Sequence, residues 1–258
     1  MTGANHRDVL VEMAERAEPA PAGTPQRDTV LVSEARGSAQ ALVWLPGTKE
    51  SGYFAERWRA LNRQLEPLLS EVDFPLGPDE QLPEDLQWMH DNVRLVRATQ
   101  SEVQGSLASL KRVPHVRTAD GTVTPRVLAI AQAYLQVVEY RYSDHSFTSY
   151  LESFQTITGL NMGELSLLVP ALKLVVLEEF VIRGREVLKV PEKPRNISDL
   201  MGSMREMSEA PWKELLEPLI VFEPVLAQDP ARAYARMDFE TAKTFKPWLV
   251  FPKDGNKL

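Results

Sequence analysis

Cysteine is absent from this chain of 258 residues, and histidine occurs only four times. Without cysteine the chain can form no disulfide, no thiolate metal site and no cysteine nucleophile. The histidines, His6, His90, His115 and His145, never lie three or four positions apart, so they cannot form the helical pair that binds zinc. These absences exclude a disulfide scaffold and a helical zinc pair.

The short motifs of common catalytic sites are also missing. The sequence has no G-x-S-x-G nucleophile turn, no G-x-x-x-x-G-K-[ST] phosphate loop and no G-x-G-x-x-G dinucleotide turn. It also lacks a D-x-D pair, the short metal-nucleotide motif of many glycosyltransferases. The residues alone therefore predict no catalytic residue, no cofactor and no metal site.

An excess of positive charge is missing as well, since the formal net charge is −7. A general nucleic-acid binder would be basic, and so would a surface that adheres to anionic lipid. The first twenty residues lack the unbroken apolar segment of a signal peptide, because Glu12, Glu15 and Arg16 interrupt it. Together with the missing cysteine, this predicts a cytoplasmic protein that binds no nucleic acid.

No uncharged apolar run approaches the roughly 20 residues that a membrane helix needs. The most apolar stretch is 161–182, in which Lys173, Glu178 and Glu179 interrupt the aliphatic side chains. These side chains fall on every face of a 3.6-residue period, which is typical of a helix buried inside a protein. We therefore expect a buried central helix and no membrane span.

Local signals support this helix and its start. Asn161 followed by Glu164 has the spacing of a capping box, and Leu160 and Leu165 have that of a hydrophobic staple. Pro170 lies inside the helix and is expected to kink it at a cost of about 3 kcal/mol. Burial of about twelve large side chains outweighs that cost, at roughly 1.5–3 kcal/mol each as an upper bound.

Two apolar seams precede the central helix and predict a long helical hairpin. The second helix is expected to begin at Pro83. The first seam consists of Phe54, Trp58, Leu61, Leu65, Leu68 and Val72, and the second of Leu86, Met89, Val93, Val96, Gln100, Val103, Leu107 and Leu110. We interpret both seams as packing surfaces.

The remaining patterns also favour helices. Residues 28–45 fit a helix better than a strand, and Pro46 and Gly47 are expected to end it. After the central helix, Asn196 or Ser198 is expected to cap a helix whose methionine row, Met201, Met204 and Met207, fills the core. No segment alternates clearly as a strand would, so the predicted class is all-α.

The predicted architecture is a multi-helix bundle with the heptad hairpin and the kinked, buried central helix. Its expected divisions are a flexible N-terminal segment and linker over 1–27, a helical domain over 28–190, and a C-terminal helical subdomain with a loose tail over 191–258. The first division ends in a segment rich in proline and alanine, EPAPAGTP, and the last begins at Pro191.

A basic segment, KRVPHVR, lies between the hairpin and the third predicted helix. We interpret it as a solvated loop, with a turn at 119–121 after it. The alternative is a weak anion site for a sugar phosphate or nucleotide. Its residues would be Lys111, Arg112, His115 and Arg117.

Two further pairs of polar residues have ordinary interpretations. His90 beside Asp91 could be a catalytic dyad, but an exposed pair on a helix is the favoured interpretation. Glu178 and Glu179 point about 100° apart on a helix, so they should not share a substrate. Glu179 is expected to pair with Arg183, one helical turn later.

Two blocks of the sequence resemble the N-terminal region of bacterial cyclic β-1,2-glucan synthases. The first block covers 78–182, with LQWMHDNV at 86–93 and GEL at 163–165. The second covers 197–240, with ISDLMGSMR at 197–205, QDP at 228–230 and YARMDF at 234–239. The chain departs from the family in its short segment after the central helix and in 241–246, where the family has an arginine-rich run.

The resemblance implies the cytoplasmic helical part of a large inner-membrane synthase that polymerises glucose from UDP-glucose. The glucosyltransferase and phosphorylase-like domains of that family lie after this region. The chain alone would then be non-catalytic, with the glucosyltransferase and membrane domains of the synthase as its partners. The alternative is a stand-alone cytoplasmic adaptor that binds a partner helix through its methionine row or its hairpin.

Overall fold

The structure is a computed structural model that describes residues 25–50, 52–77, 81–106 and 112–220, and helices dominate these ranges. The expected linker at 1–27 and tail up to 258 fall mostly outside them, and the predicted domain divisions stay predictions. The helices are α1 (Pro25–Ala41), α2 (Tyr53–Val72), α3 (Glu84–Asp91), α4 (Val93–Ser106), α5 (Arg126–Val137), α6 (Asp144–Gln155), α7 (Met162–Lys189), α8 (Ile197–Glu209) and α9 (Trp212–Leu216). A 3₁₀ turn, Glu217–Leu219, follows α9. The predicted, predominantly helical class is confirmed.

The predicted central helix is α7, and its neighbours bury it. The capping box is complete: the Asn161 side chain accepts the Glu164 N–H (2.9 Å), and a Glu164 carboxylate oxygen accepts the Asn161 N–H (3.1 Å). Pro170 lies buried within the helix. Helices α2, α3, α4, α5 and α8 all contact α7. None of the helices in the described ranges has the length and apolarity that crossing a bilayer requires.

The three charged residues that interrupt the apolar run of α7 are each paired with a side chain of opposite charge. Lys173 is buried, and its ammonium group donates to Glu102 of α4. Glu178 pairs with Arg57 of α2, and Glu179 with Arg183. The prediction of the Glu179–Arg183 pair is confirmed, with 2.7 Å between Nε and Oε1.

The two heptad seams are buried as predicted, but their main packing partner differs from the predicted one. All six residues of the first seam are buried, and so are Met89, Val93, Val96, Gln100 and Val103 of the second. The expected second helix is broken at Asn92 into two helices, α3 and α4. The side-chain amide of Asn92 donates to the Trp88 carbonyl (2.9 Å). Both α2 and α4 contact α7 more extensively than they contact each other. Leu107 and Leu110 lie outside the described residues.

A small antiparallel sheet is the main feature that the sequence patterns did not predict. It contains β1 (Val43–Glu50), β2 (Arg112–Arg117) and β3 (Val123–Pro125), in that order. The basic segment that was interpreted as a loop is therefore the central strand. The side chains of its two valines, Val113 and Val116, are buried. The predicted turn at 119–121 is correct and connects β2 to β3, with Gly121 at a φ of 86°.

Strands β1 and β2 each contain a proline, which explains why the sequence patterns did not predict them. Helix α1 ends at Ala41, so Pro46 and Gly47 do not end it as predicted but lie in β1. The register between β1 and β2 shifts between Trp44 and Thr48, which marks a bulge around those two residues. Pro114 of β2 stands opposite Thr48, next to this shift. Bulges are places where a strand accommodates proline, and a proline inside a strand argues against its prediction from sequence.

Capping of α8 also differs from the prediction. Asn196 precedes the helix in a left-handed conformation, and its side chain makes no capping bond. Asp85 of α3 caps it instead, since its carboxylate accepts the Ile197 N–H (2.9 Å) and the Arg195 N–H. The buried face of α8 is otherwise the predicted one, with Met201, Met204 and Met207 fully buried.

Candidate functional site

The four residues of the predicted anion site are only partly described. Lys111 and the side chain of Arg112 lie outside the described residues. His115 is buried, with its Nδ1 atom 3.0 Å from the Val113 carbonyl oxygen, whereas Arg117 is exposed. The structure therefore places one of the two described side chains inside the protein and the other in solvent. The anion site stays a prediction.

His90 and Asp91 form an anchored pair rather than an open dyad. The His90 Nδ1 atom is 3.1 Å from an Asp91 carboxylate oxygen, and Nε2 is 2.9 Å from the Phe74 carbonyl oxygen. The His90 ring also packs on the Phe74 ring, with centroids 5.3 Å apart. Both ring nitrogens are engaged, so His90 ties the segment after α2 to α3.

These contacts predict a pH-dependent contribution to stability. Hydrogen bonds to Asp91 and to the Phe74 carbonyl raise the pKa of His90 above its ordinary value of about 6.5. A raised folded-state pKa stabilises the fold below the unfolded-state pKa, and this contribution disappears as the pH rises through the folded-state value. We therefore expect His90→Gln to lower the free energy of unfolding at about pH 5.5 more than at about pH 8.5. Urea unfolding of both proteins at the two pH values measures this difference.

His145→Gln is the matched control, because His145 is an exposed histidine on another helix, α6. The quantity to compare is the extra loss at the lower pH in His90→Gln relative to His145→Gln, since His90 makes the bonds to Asp91 and Phe74. An equal loss of stability at both pH values in His90→Gln would contradict the proposed protonation of His90.

The feature that best qualifies as a site is a groove that runs from the turn between β2 and β3, past α5, to the exposed side of α7. It consists of three neighbouring clefts of about 530, 360 and 500 Å³. The first and second clefts share Arg57 and Gln132, and the second and third share Glu179 and Ile182. We call these three clefts together the groove. Each is within the 300–1,000 Å³ that is usual for small-molecule sites.

The wall of the first cleft comes from α1, α2, α5 and the turn between β2 and β3. Asp120 organises that turn: its carboxylate accepts the Thr122 N–H (3.1 Å) and the hydroxyls of Thr118 and Thr122. These hydrogen bonds hold the pKa of Asp120 below its usual value. The cleft thus has a defined polar rim.

Arg57 lies where the first and second clefts meet and is paired with Glu178, which lines the second cleft. Two parallel hydrogen bonds, 2.5 and 2.6 Å long, join the guanidinium group to the carboxylate. Arg57 also donates to the Tyr53 hydroxyl (3.1 Å), which in turn is 3.3 Å from the Thr124 hydroxyl. Burial alone would lower the pKa of Arg57, but the bonds to Glu178 keep it above the usual value. Such a bidentate pair is rigid, and it leaves neither the guanidinium group nor the carboxylate free for acid–base chemistry.

Tyr140 stands at the other side of the second cleft, in a loop of unusual conformation. Glu139 and Tyr140 have φ values of 52° and 61°, the left-handed region that non-glycine residues rarely adopt. Ser203 of α8 supports this loop, because its buried hydroxyl donates to the Tyr140 carbonyl (2.5 Å) and accepts the Tyr142 N–H (2.8 Å). The Arg183 guanidinium lies 5.0 Å from the centre of the Tyr140 ring.

Ion pairs line the third cleft. Arg141 pairs with Asp199 and Glu139, and Arg195 pairs with Glu186 at 2.5 Å. Arg183, already paired with Glu179, also donates to the Arg195 carbonyl (3.2 Å). Each arginine of this cleft therefore has a carboxylate partner within the groove itself.

Glutamine side chains supply the uncommitted polar groups of the groove. Gln132 and Gln136 lie one turn apart on α5 and both line the first cleft, and Gln132 lines the second as well. Gln132 is half-buried and Gln136 is exposed. Within the described part of the chain neither side-chain amide has a hydrogen-bond partner. A primary amide offers two donors and one acceptor, so these two residues can bind a polar ligand.

Sequence reasoning did not single out Arg57, Gln132 or Tyr140. Arg57 lies in the first seam helix, next to the buried Trp58, and its partner Glu178 is 121 positions away. Gln132 belongs to a helix whose apolar residues alone carried the prediction. No local spacing signals such a site, because α2, α5 and α7 come together only in the folded chain.

The described residues contain no grouping of three or more histidine, aspartate or glutamate side chains that could hold a metal ion. Hydrolysis of a glycosidic bond commonly needs two carboxyl groups free to act as acid, base or nucleophile. In the groove, Glu178 and Glu179 are each held by an arginine.

Comparison with known proteins gives two partial similarities. Over 133 residues, 49% of its length, the chain is 27% identical to the cyclic β-(1,2)-glucan synthase NdvB of Rhizobium meliloti, of which this match covers 5%. A segment of 22 residues is 82% identical to an aspartate 1-decarboxylase of Flavobacterium psychrophilum and covers 19% of that enzyme. No protein-family profile matches the chain.

The chain thus spans a fifth or less of the length of the curated relatives that it matches. The resemblance to cyclic glucan synthases is confirmed in a coarse form: about half of the chain is similar to a small part of one such enzyme. The match to the decarboxylase involves 8% of the chain, which is too short to carry an argument about fold or activity.

Proposed function

We propose that this chain is a non-catalytic helical region that supports the synthesis of β-1,2-glucan, on the cytoplasmic side of the membrane. Its partner would be a membrane glucosyltransferase that uses UDP-glucose. The observation that carries this proposal is the similarity, over 49% of the chain, to part of the cyclic β-(1,2)-glucan synthase NdvB. The matched part is 5% of that enzyme, so most of the enzyme has no counterpart in this match.

The packing of the chain is consistent with a scaffold. Its main packing features are the buried helix α7, the cap that Asp85 provides for α8, and the paired charges in the groove. All three fix the relative positions of helices, and none presents a reactive group. A rigid helical body of this kind can hold a neighbouring enzyme domain in place without taking part in the reaction.

The adaptor alternative requires an exposed apolar stripe on a helix. The methionine row of α8 is fully buried, and the described seam residues are buried apart from the half-buried Leu86. Neither surface that the sequence suggested for a partner helix is therefore available in this fold. Support of a glucosyltransferase does not depend on those surfaces.

Two measurements test the proposal. The purified full chain incubated with UDP-glucose should release no UDP above the buffer control. Co-expression of the chain with an NdvB variant that lacks the matched region should restore glucan formation relative to the deletion variant alone. UDP release by the chain that falls in Glu178→Gln or Glu179→Gln would overturn the non-catalytic assignment. Failure to restore glucan formation, with both proteins present in the cell, would overturn the supporting role.

A further inference from the structure

The groove has a shape that favours an extended ligand. Its three clefts follow one another from the turn between β2 and β3 to α7, and each shares two lining residues with the next. One compact molecule would occupy a single cleft of about 360–530 Å³. A chain of repeated units can occupy neighbouring clefts and make the same kind of contact in each.

The charges of the groove argue against a charged ligand. Arg57 and Arg183 are paired with Glu178 and Glu179 at 2.5 and 2.7 Å, and Arg195 is paired with Glu186. A phosphate or carboxylate would have to displace a carboxylate that is already bound to an arginine. Asp120, on the rim of the first cleft, is held by the N–H and hydroxyl donors of its own turn. Breaking a partly buried bidentate pair is costly, because it leaves one charge without its partner. The groove is therefore better suited to an uncharged ligand.

The remaining polar groups match a ligand rich in hydroxyls. Gln132 and Gln136 each provide two donors and one acceptor, and a pair of neighbouring hydroxyl groups can both donate to and accept from one amide. Tyr53 and Tyr140 line the first and second clefts and are half-buried. A partly exposed tyrosine ring provides an apolar surface next to a polar edge. Sugars combine hydroxyl groups with apolar C–H faces and so fit both features.

We infer that the groove is a binding site for an uncharged oligosaccharide, with Gln132 and Gln136 as hydrogen-bonding residues and Tyr53 and Tyr140 as packing surfaces. That the oligosaccharide is a β-1,2-linked glucose chain rests on the proposed function. The bound sugar would be held and not cleaved, because Glu178 and Glu179 are occupied by arginines. The site would thus retain a growing or finished glucan beside the enzyme.

Isothermal titration of the full chain with short linear β-1,2-linked glucose oligomers tests the inference. We expect binding of the oligomers and none of inorganic phosphate. Gln132→Ala should weaken the binding by about twofold to tenfold, because the hydrogen bonds of one side-chain amide are lost. The double variant Gln132→Ala/Gln136→Ala should weaken it further. Gln104→Ala is the matched control, because Gln104 is an exposed glutamine on α4 that lines none of the three clefts.

Three results would overturn the inference. They are the absence of oligomer binding, oligomer binding that the double variant leaves unchanged, and tighter binding of UDP-glucose or phosphate than of the neutral oligomers. Circular dichroism of each variant checks that its fold is intact. Equal binding of α-1,4-linked glucose oligomers would support the groove and contradict only its link to the proposed function. Failure of the proposed function itself would show in UDP release and in glucan formation, which this titration does not measure.

Discussion

Replacing Arg126 with alanine is expected to lower the free energy of unfolding by about 3–5 kcal/mol, because Glu164 would then be a buried carboxylate without its cation. Both side chains are at most 3% exposed, and the Arg126 Nη1 atom is 3.1 Å from a Glu164 oxygen. The guanidinium group also donates to the Thr158 hydroxyl (2.8 Å) and the Gly159 carbonyl (3.2 Å). It therefore joins the start of α5 to the loop before α7 and to the cap of α7.

The chain offers a matched control in the pair of Arg97 and Glu66. This pair has a similar distance, 3.3 Å, but its side chains are 43% and 50% exposed. Exposed ion pairs contribute about 0–1 kcal/mol, so Arg97→Ala should have a small effect. Urea unfolding of both variants measures the difference. Equal losses in the two variants would contradict the assignment of a buried, stability-determining pair.

A second substitution separates the two roles of Glu164. Glutamine at this position can still accept the Asn161 N–H, as it does in other capping boxes, but it removes the negative charge. Glu164→Gln should therefore keep the helix start and still leave Arg126 buried without a counter-charge. A loss well above the roughly 1 kcal/mol of a missing cap would identify the ion pair as the larger contribution.

The capping box and the ion pair also show which features a sequence reveals. Asn161 and Glu164 are three positions apart, so their reciprocal bonding depends on local geometry and was predicted correctly. Arg126 and Glu164 are 38 positions apart and meet only because α5 packs against α7. The residues of the groove were missed for the same reason, since their identities give no sign of which helices will meet.

The sheet was missed for a different physical reason. Strand β2 contains Pro114 and cations, and β1 contains Pro46 and Gly47, so neither segment alternates regularly. Their pairing depends on a bulge that absorbs the two prolines. The seams, in contrast, were identified correctly, because the spacing of apolar residues along one helix shows which face is buried whatever that face packs against. Their partner was not, because an apolar stripe does not specify which other stripe it will meet.

Replacing Phe180 with alanine is expected to lower the free energy of unfolding by about 3–5 kcal/mol, because it would create a cavity inside the tightly packed centre of the protein. Phe180 is fully buried on α7, as are Leu172 and Val176 earlier in the same helix. The matched control is Ile182→Ala, since Ile182 is two positions later on α7 and 57% exposed. A surface substitution of this kind should change stability by no more than about 0.5 kcal/mol. Urea unfolding monitored by circular dichroism measures both values. If the two variants lost similar amounts, α7 would not be enclosed on the face that carries Phe180, and the packing that positions the groove on its other face would have to be wrong as well.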